Sequence, residues 1–224
     1  MNNYSKFLTF SYDDGIVQDK RLVEIFNEYG MKCTFNLNSG IMTPESHWEN
    51  KGHEVYRMTR EEMGDMYDGH EIACHFRTHA NPAELSEEEI EFEISDDIKK
   101  LSEMFNCKIV GGSYPYGYYN DEVVKTLEKY GIKYYRTVES TGSFDFQTDL
   151  MRFKPTCHHN DPKLFKYAEQ FINAESENPM IFYVWGHSYE FDGDDNWDRI
   201  EKLCKMLSGK SDILCCTNNE ALLG

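Results

Sequence analysis

Two adjacent carboxylates, Asp13 and Asp14, close the segment Phe10-Ser11-Tyr12-Asp13-Asp14-Gly15. Neighbouring side chains at a strand end point in different directions, so one carboxylate can hold a metal while the other moves protons. Gly15 permits the sharp exit that such a corner needs. Downstream, His75 and His79 lie in His75-Phe76-Arg77-Thr78-His79. An i, i+4 spacing brings two imidazoles onto one face of a helical turn, as a two-toothed metal clamp requires. Asp14 is the natural third ligand, and two histidines with one carboxylate leave room for water on a catalytic divalent cation. His187 follows an apolar run in Val184-Trp185-Gly186-His187-Ser188-Tyr189-Glu190. In Ser113-Tyr114-Pro115-Tyr116-Gly117, the proline and glycine set a tight turn that can aim the Tyr116 N–H at a developing oxyanion. Each piece also has an ordinary reading: Asp-Asp-Gly and Pro-Tyr-Gly are common turns, and a lone histidine is often a core residue.

The elements that must position these groups alternate along the chain. Strands are predicted at 7–12, 32–37, 71–75, 109–114, 134–137, 152–156, 180–185 and 213–216. Helices are predicted at 19–29, 60–67, 86–105, 121–130, 162–173 and 197–207, and 39–56 and 139–150 read as long polar loops. Alternation of this kind builds a parallel sheet with helical connections. The sheet can be open and doubly wound or closed into a barrel. With no glycine-rich phosphate loop after the first strand, and only seven or eight strands in so short a chain, a trimmed (β/α) barrel is expected, formed by one domain over residues 1–224. Asp13, Asp14, His75, His79 and His187 all fall at carboxyl ends of predicted strands, the face on which such folds place their sites.

Composition narrows the function classes. The chain has 224 residues with 23 basic and 40 acidic side chains, a net charge of −17. That field repels phosphate backbones and anionic lipid, so neither nucleic acid nor a membrane is an expected partner. Seven scattered cysteines without a Cys-x-x-Cys spacing point to reduced, mostly buried thiols rather than a zinc ribbon or a disulfide frame. The opening Met1-Asn2-Asn3-Tyr4-Ser5-Lys6 carries no apolar run of signal-peptide length, so a cytoplasmic location is expected.

Taken together, the motifs resemble those of the NodB-homology polysaccharide deacetylases, carbohydrate esterase family four. Asp13-Asp14-Gly15 matches the family's first motif; Gly69-His70-Glu71-Ile72 followed by His75 and His79 matches its second. Pro115-Tyr116-Gly117 matches the third, and His187 the last. The resemblance implies that Asp14, His75 and His79 hold a divalent cation, usually zinc, with cobalt, nickel or manganese able to serve. It further implies Asp13 as general base, His187 as general acid, an acetylated carbohydrate as substrate, and an irregular, trimmed (β/α) barrel with about seven parallel strands as the fold. Around them, Tyr114, Pro115, Tyr116 and Trp185 are candidates for oxyanion or substrate contacts, and Glu190 and His159 for support. Two departures stand out: Phe76 where the family often has serine or threonine, and Ser113 where many members carry an arginine that tethers the catalytic aspartate. Arg136 and Arg77 are the candidate replacements. Hydrolysis of another small amide or imide, or carbohydrate binding without catalysis, are the competing expectations, and the oligomeric state is left open.

Overall fold

The computed structural model describes residues 5–224. Its strands are β1 (Lys6–Asp13), β2 (Cys33–Leu37), β3 (His47–Asn50), β4 (His53–Tyr56), β5 (Glu71–Cys74), β6 (Gly111–Ser113), β7 (Tyr134–Arg136), β8 (Cys157–His158), β9 (Met180–Gly186) and β10 (Ile213–Cys215). The helices are α1 (Asp19–Glu28), α2 (Arg60–Met63), α3 (Glu87–Phe105), α4 (Asp121–Lys129), α5 (Leu164–Asn173), α6 (Tyr189–Gly193), α7 (Trp197–Leu207) and α8 (Asn218–Leu223).

One parallel sheet runs in the order β7-β6-β5-β2-β1-β9-β8, with β10 paired to the start of β1. Seven strands in sequence round a curled wall give the irregular barrel expected. The wall nearly closes on itself, because Phe153 bridges to Arg136 of β7 while β8, a few residues later, pairs with β9. The segment predicted as a strand over 152–156 therefore supplies only that one bridge; regular pairing begins at Cys157.

Strand periodicity decides what faces where. On β1, Leu8, Phe10 and Tyr12 enter the main apolar core shared with the helices. Thr9, Ser11 and Asp13 take the alternate side and are fully or almost fully buried inside the barrel. Each large apolar side chain removed from water contributes roughly 1.5–3 kcal/mol, which is what holds a polar inner face in place. The long helix α3 starts at the expected Ser86, whose hydroxyl accepts from Glu89 N–H while the Glu89 carboxylate accepts from Ser86 N–H. Five of the seven cysteines are buried and all are free thiols.

Three further local expectations fail. The polar stretch 39–56 contains an antiparallel hairpin, β3–β4, instead of being loop throughout. Helix α2 ends at Met63 rather than Tyr67, because Gly64 turns to φ 51° and stops it. The segment from His75 to His79 is a loop, not a helical turn, with Phe76 and His79 at φ 61° and 56°.

Candidate active site

Asp13 is the last residue of β1, and its carboxylate is enclosed on every side. Arg136 of β7 donates from Nη2 to Asp13 Oδ2, while its Nε donates to Ser11 Oγ at 3.2 Å. Asn36 Nδ2 and Ser113 Oγ donate to Asp13 Oδ1 at 2.8 and 3.1 Å. Burial alone would raise the Asp13 pKa, but the Arg136 charge, followed by His75 and His187, holds it far below the usual carboxylate range. Arg136 itself is fully buried and lies 4.4 Å over the Trp185 ring. It stands where the sequence required a substitute tether. Arg77 does not: it turns outward to Asp96 at 2.7 Å and lies over Phe92, because the 76–79 loop points its side chain away from the barrel.

Asp14 follows at φ 86°, a left-handed conformation that swings its carboxylate away from Asp13's. Its N–H still donates to Asn36 O at 3.0 Å, which fixes the corner to β2. His75 and His79 come to it from the loop after β5. One ligand atom from each of Asp14, His75 and His79 lies within 4.8 Å of the other two. The loop achieves this without helical geometry because α3 grips it: Asp97 accepts His75 N–H at 3.2 Å, and Glu93 accepts both Thr78 N–H and Thr78 Oγ at 2.7 Å. Asn38 Nδ2 also donates to Phe76 O at 2.8 Å.

The donor set fits a divalent cation. His75 Nδ1 lies 2.7 Å from Ser113 O, an acceptor only, so the ring proton sits on Nδ1 and the Nε2 lone pair is free. Burial pushes His75 down to about 4 and lowers His79, keeping both neutral as ligands must be. Phe76, where a hydroxyl residue was expected to support the site, is instead fully buried in the apolar core.

His187 sits just past β9 with Nε2 3.9 Å from Asp13 Oδ2 and Nδ1 3.5 Å from Glu190 Oε2. Burial would lower its pKa, yet the Glu190 carboxylate, followed by Asp14 and Asp13, holds it at about 9. Glu190 Oε2 also faces His158 Nε2 at 3.0 Å and His159 Nε2 at 3.1 Å. Asn160 N–H donates into His158 Nδ1 at 3.1 Å, which leaves Nε2 as the ring nitrogen facing Glu190. One carboxylate thus sits at ion-pair distance from three imidazoles, and it accepts the His187 backbone N–H at 3.2 Å. His159 is buried between Tyr12 and Phe191, outside the cavity wall.

A cavity of about 610 Å³ gathers Asp13, Asp14, His75, His79 and His187. Tyr114, Tyr116 and Trp185 line it too. Pro115 is buried beneath the turn that carries Tyr116. These candidate contact residues are not equivalent. Tyr114 is buried, with its hydroxyl spent on Met151 O at 2.7 Å, whereas Tyr116 is 60% exposed with its ring edge against His79. Trp197 is away from the cavity, packed on Phe191 and bonded to Asp192.

Two wall residues, Trp48 on β3 and Arg57 just after β4, were not legible as such in the sequence. With Tyr189 at the start of α6 they form one side of the cavity, Trp48 edge-on to Tyr189 at 5.4 Å. Arg57 Nη2 donates to Asp14 Oδ1 at 2.7 Å. The available signal was a tryptophan and an arginine in a long polar stretch directly after a strand's carboxyl end, where binding groups gather.

The polysaccharide deacetylase family profile matches residues 2–135, more than half of the sequence. The chain belongs to that family. The matched span holds Asp13, Asp14, His75, His79 and the Pro115–Gly117 turn, while His187 and Glu190 lie beyond it. A Bacillus subtilis (strain 168) protein, YxkH, which carries a provisional polysaccharide deacetylase name, is 29% identical over 137 residues. That alignment covers 60% of this chain and 45% of the relative, so the chain matches less than half of its curated relative's length. Among solved structures, the Xyl-CE4 domain of a multidomain xylanase from the Trinervitermes trinervoides hindgut metagenome has a TM-score of 0.61 at 16% identity. It covers 96% of this chain and 89% of that one. The family 4 carbohydrate esterase of Streptomyces lividans gives 0.58 at 15% identity, over 94% and 91%. A family 4 pseudoenzyme from Bacillus anthracis gives 0.60 at 17% identity, over 100% and 67%. At these identities the likeness is one of fold, and the pseudoenzyme shows that this fold alone does not fix activity.

Proposed function

We propose that this deacetylase-family chain, acting as a single catalytic domain over residues 1–224, hydrolyses acetyl groups from N- or O-acetylated carbohydrate. The observation that carries the reading is the meeting in one cavity of a tethered carboxylate, a metal-type ligand set and a charged imidazole. Asp14, His75 and His79 would hold a divalent cation, zinc by family resemblance or cobalt, nickel or manganese in its place. Such an ion supplies polarisation of the acyl carbonyl and a water nucleophile available near neutral pH.

The chain's own residues divide the proton work. Asp13 is ionised at any working pH and takes a proton from the attacking water; Arg136, Asn36 and Ser113 hold it in one orientation meanwhile. The Tyr116 N–H is the proposed donor to the oxyanion, an interaction type worth about 2.7–4 kcal/mol. His187 carries a proton at neutral pH because Glu190 stabilises its cation. With Nδ1 facing Glu190, Nε2 is left to protonate the departing nitrogen or oxygen. An amine leaves poorly without that proton, so amides depend on His187 more than esters do.

The deciding experiment is acetate release from chito-oligosaccharides, acetylated xylan and aryl acetates by metal-stripped protein reloaded with zinc, cobalt or manganese. Metal-dependent release that disappears in Asp13→Asn supports the reading. Tight metal binding with no acetate from any substrate would sink it in favour of another small amide, or of binding alone.

A further inference from the structure

The hairpin β3–β4 delivers a cation to the cavity, and the placement is rigid. Arg57 forms an antiparallel bridge with Ile16, two residues past Asp14. On either side, Val17 N–H donates to Tyr56 O at 3.0 Å and Met58 N–H to Gly15 O at 2.9 Å. The Arg57 N–H itself donates to Ser46 O. The guanidinium then lies 4.7 Å over the Trp48 ring, which fixes its plane.

What that guanidinium lacks is acceptors. An arginine side chain offers five N–H donors. Among the described residues, Arg57 finds one acceptor, Asp14 Oδ1, and its Nε is sealed from solvent with none. The residue is only 8% exposed and lines the cavity. Arg136, the other guanidinium beside the cavity, shows what a structurally satisfied arginine looks like here: Nε, Nη1 and Nη2 all have partners. A second sealed donor without an acceptor, Trp185 Nε1, borders the same cavity. Buried donors left unpaired cost free energy unless a ligand satisfies them. A net charge of −17 opposes anions at long range, so anion recognition here falls to a local, desolvated cation such as this one.

We propose that Arg57 binds a carboxylate or phosphate on the substrate, so that the acylated compounds preferred by this site are acidic sugars rather than neutral ones. The inference rests on the deacetylase reading for the site and adds the charge class of its substrate. Arg57 is a specificity residue with a fork geometry matched to an oxyanion, and Trp48 and Tyr189 form the wall along which the sugar lies.

The test is calorimetric binding to metal-reloaded Asp13→Asn protein, with metal content measured for every sample. The probes are N-acetylglucosamine, N-acetylmuramic acid as the carboxylate arm and N-acetylglucosamine 6-phosphate as the phosphate arm. At least one acidic sugar should bind tenfold or more tightly than the neutral one, and adding Arg57→Gln should bring the two within about threefold. Arg57→Lys, which keeps the charge and loses the fork, should retain part of the preference. It becomes the deciding variant if Arg57→Gln loses its metal through Asp14. Equal binding of neutral and acidic sugars, no binding of either acidic sugar, or a preference that survives the substitutions would overturn the proposal. Absence of acetate release by the metal-reloaded wild-type protein, with the charge preference intact, would sink the deacetylase reading and leave the Arg57 anion site standing.

Discussion

Arg136 and Asp13 are bonded side chain to side chain although three strands, β6, β5 and β2, lie between their own in the sheet. The contact crosses the barrel interior, so it exists only because the wall curls. Both groups are buried, and removing one partner of a buried pair leaves the other charge uncompensated. Arg136→Met is expected to destabilise the fold by about 3–5 kcal/mol in urea unfolding. The same substitution should cut acetate release at least tenfold while metal content holds. Activity within twofold of wild type would show that Asp13 needs no tether.

Glu190 sets the charge of His187, and the pH profile should report it. In the wild type the acid is held at about 9, so kcat should persist to roughly that pH and fall above it as Nε2 loses its proton. Glu190→Gln removes the stabilising carboxylate. The alkaline limb should then move down toward the ordinary imidazole range near 6.5. An unmoved limb would assign the titration to another group.

Loss of His187 should discriminate between leaving groups. His187→Ala is expected to slow N-acetyl substrates by about 10²–10⁴, the usual span for a general acid, and aryl acetates by much less. Equal losses on both classes would mean that His187 serves geometry rather than proton transfer.

Stability has its own pH signature, carried by two buried acids that take no part in the proposed proton transfers. Asp19 on α1 is fully buried and accepts from Ser188 Oγ and Tyr67 Oη, yet burial outweighs these bonds and raises its pKa to about 7. A folded-state value above the unfolded one makes the contribution fully present below about pH 4 and lost as pH rises through 7. Asp97 is raised to about 7 in the same way. Asp19→Asn should therefore flatten, though not abolish, the decline in unfolding free energy between pH 4 and 8. A slope identical to wild type would mean that Asp19 is ionised in the fold at neutral pH.

Gly186, between Trp185 and His187, has no room for a side chain. A Cβ there would come within 2.1 Å of His159 Nδ1, on a ring fixed between Tyr12 and Phe191. Gly186→Ala should lower the melting temperature by several degrees, at the 1–3 kcal/mol typical of overpacking, and displace Glu190's partners. A fully stable variant would show that His159 is free to move.

The sequence revealed most where burial is two-sided. Strands β1 and β9 are buried throughout almost their whole length and lead straight into the functional residues, so Asp13, Asp14 and His187 could be placed on one face of the fold before any coordinates. The hairpin was hidden because β3 and most of β4 are polar and solvent-facing, leaving no periodicity to read, and with it went Arg57 and Trp48. The His75–His79 pair was recognised for the wrong local reason. Its rings meet because α3 holds a left-handed loop, an arrangement that spacing cannot encode. Arg136 was nameable as a substitute for the missing tether, but only the curl of the wall separates it from Arg77.

The bridge between Arg136 and Phe153 is where the barrel's circumference is fastened. Thr137 N–H and Phe153 N–H carry the neighbouring bonds, to Phe153 O and Tyr135 O. One residue thus serves as both seam and anchor: its backbone fastens the wall while its side chain holds the Asp13 carboxylate. Local breathing at that seam, read as amide exchange at Thr137 and Phe153, would loosen the base from its partner without unfolding the remaining strands.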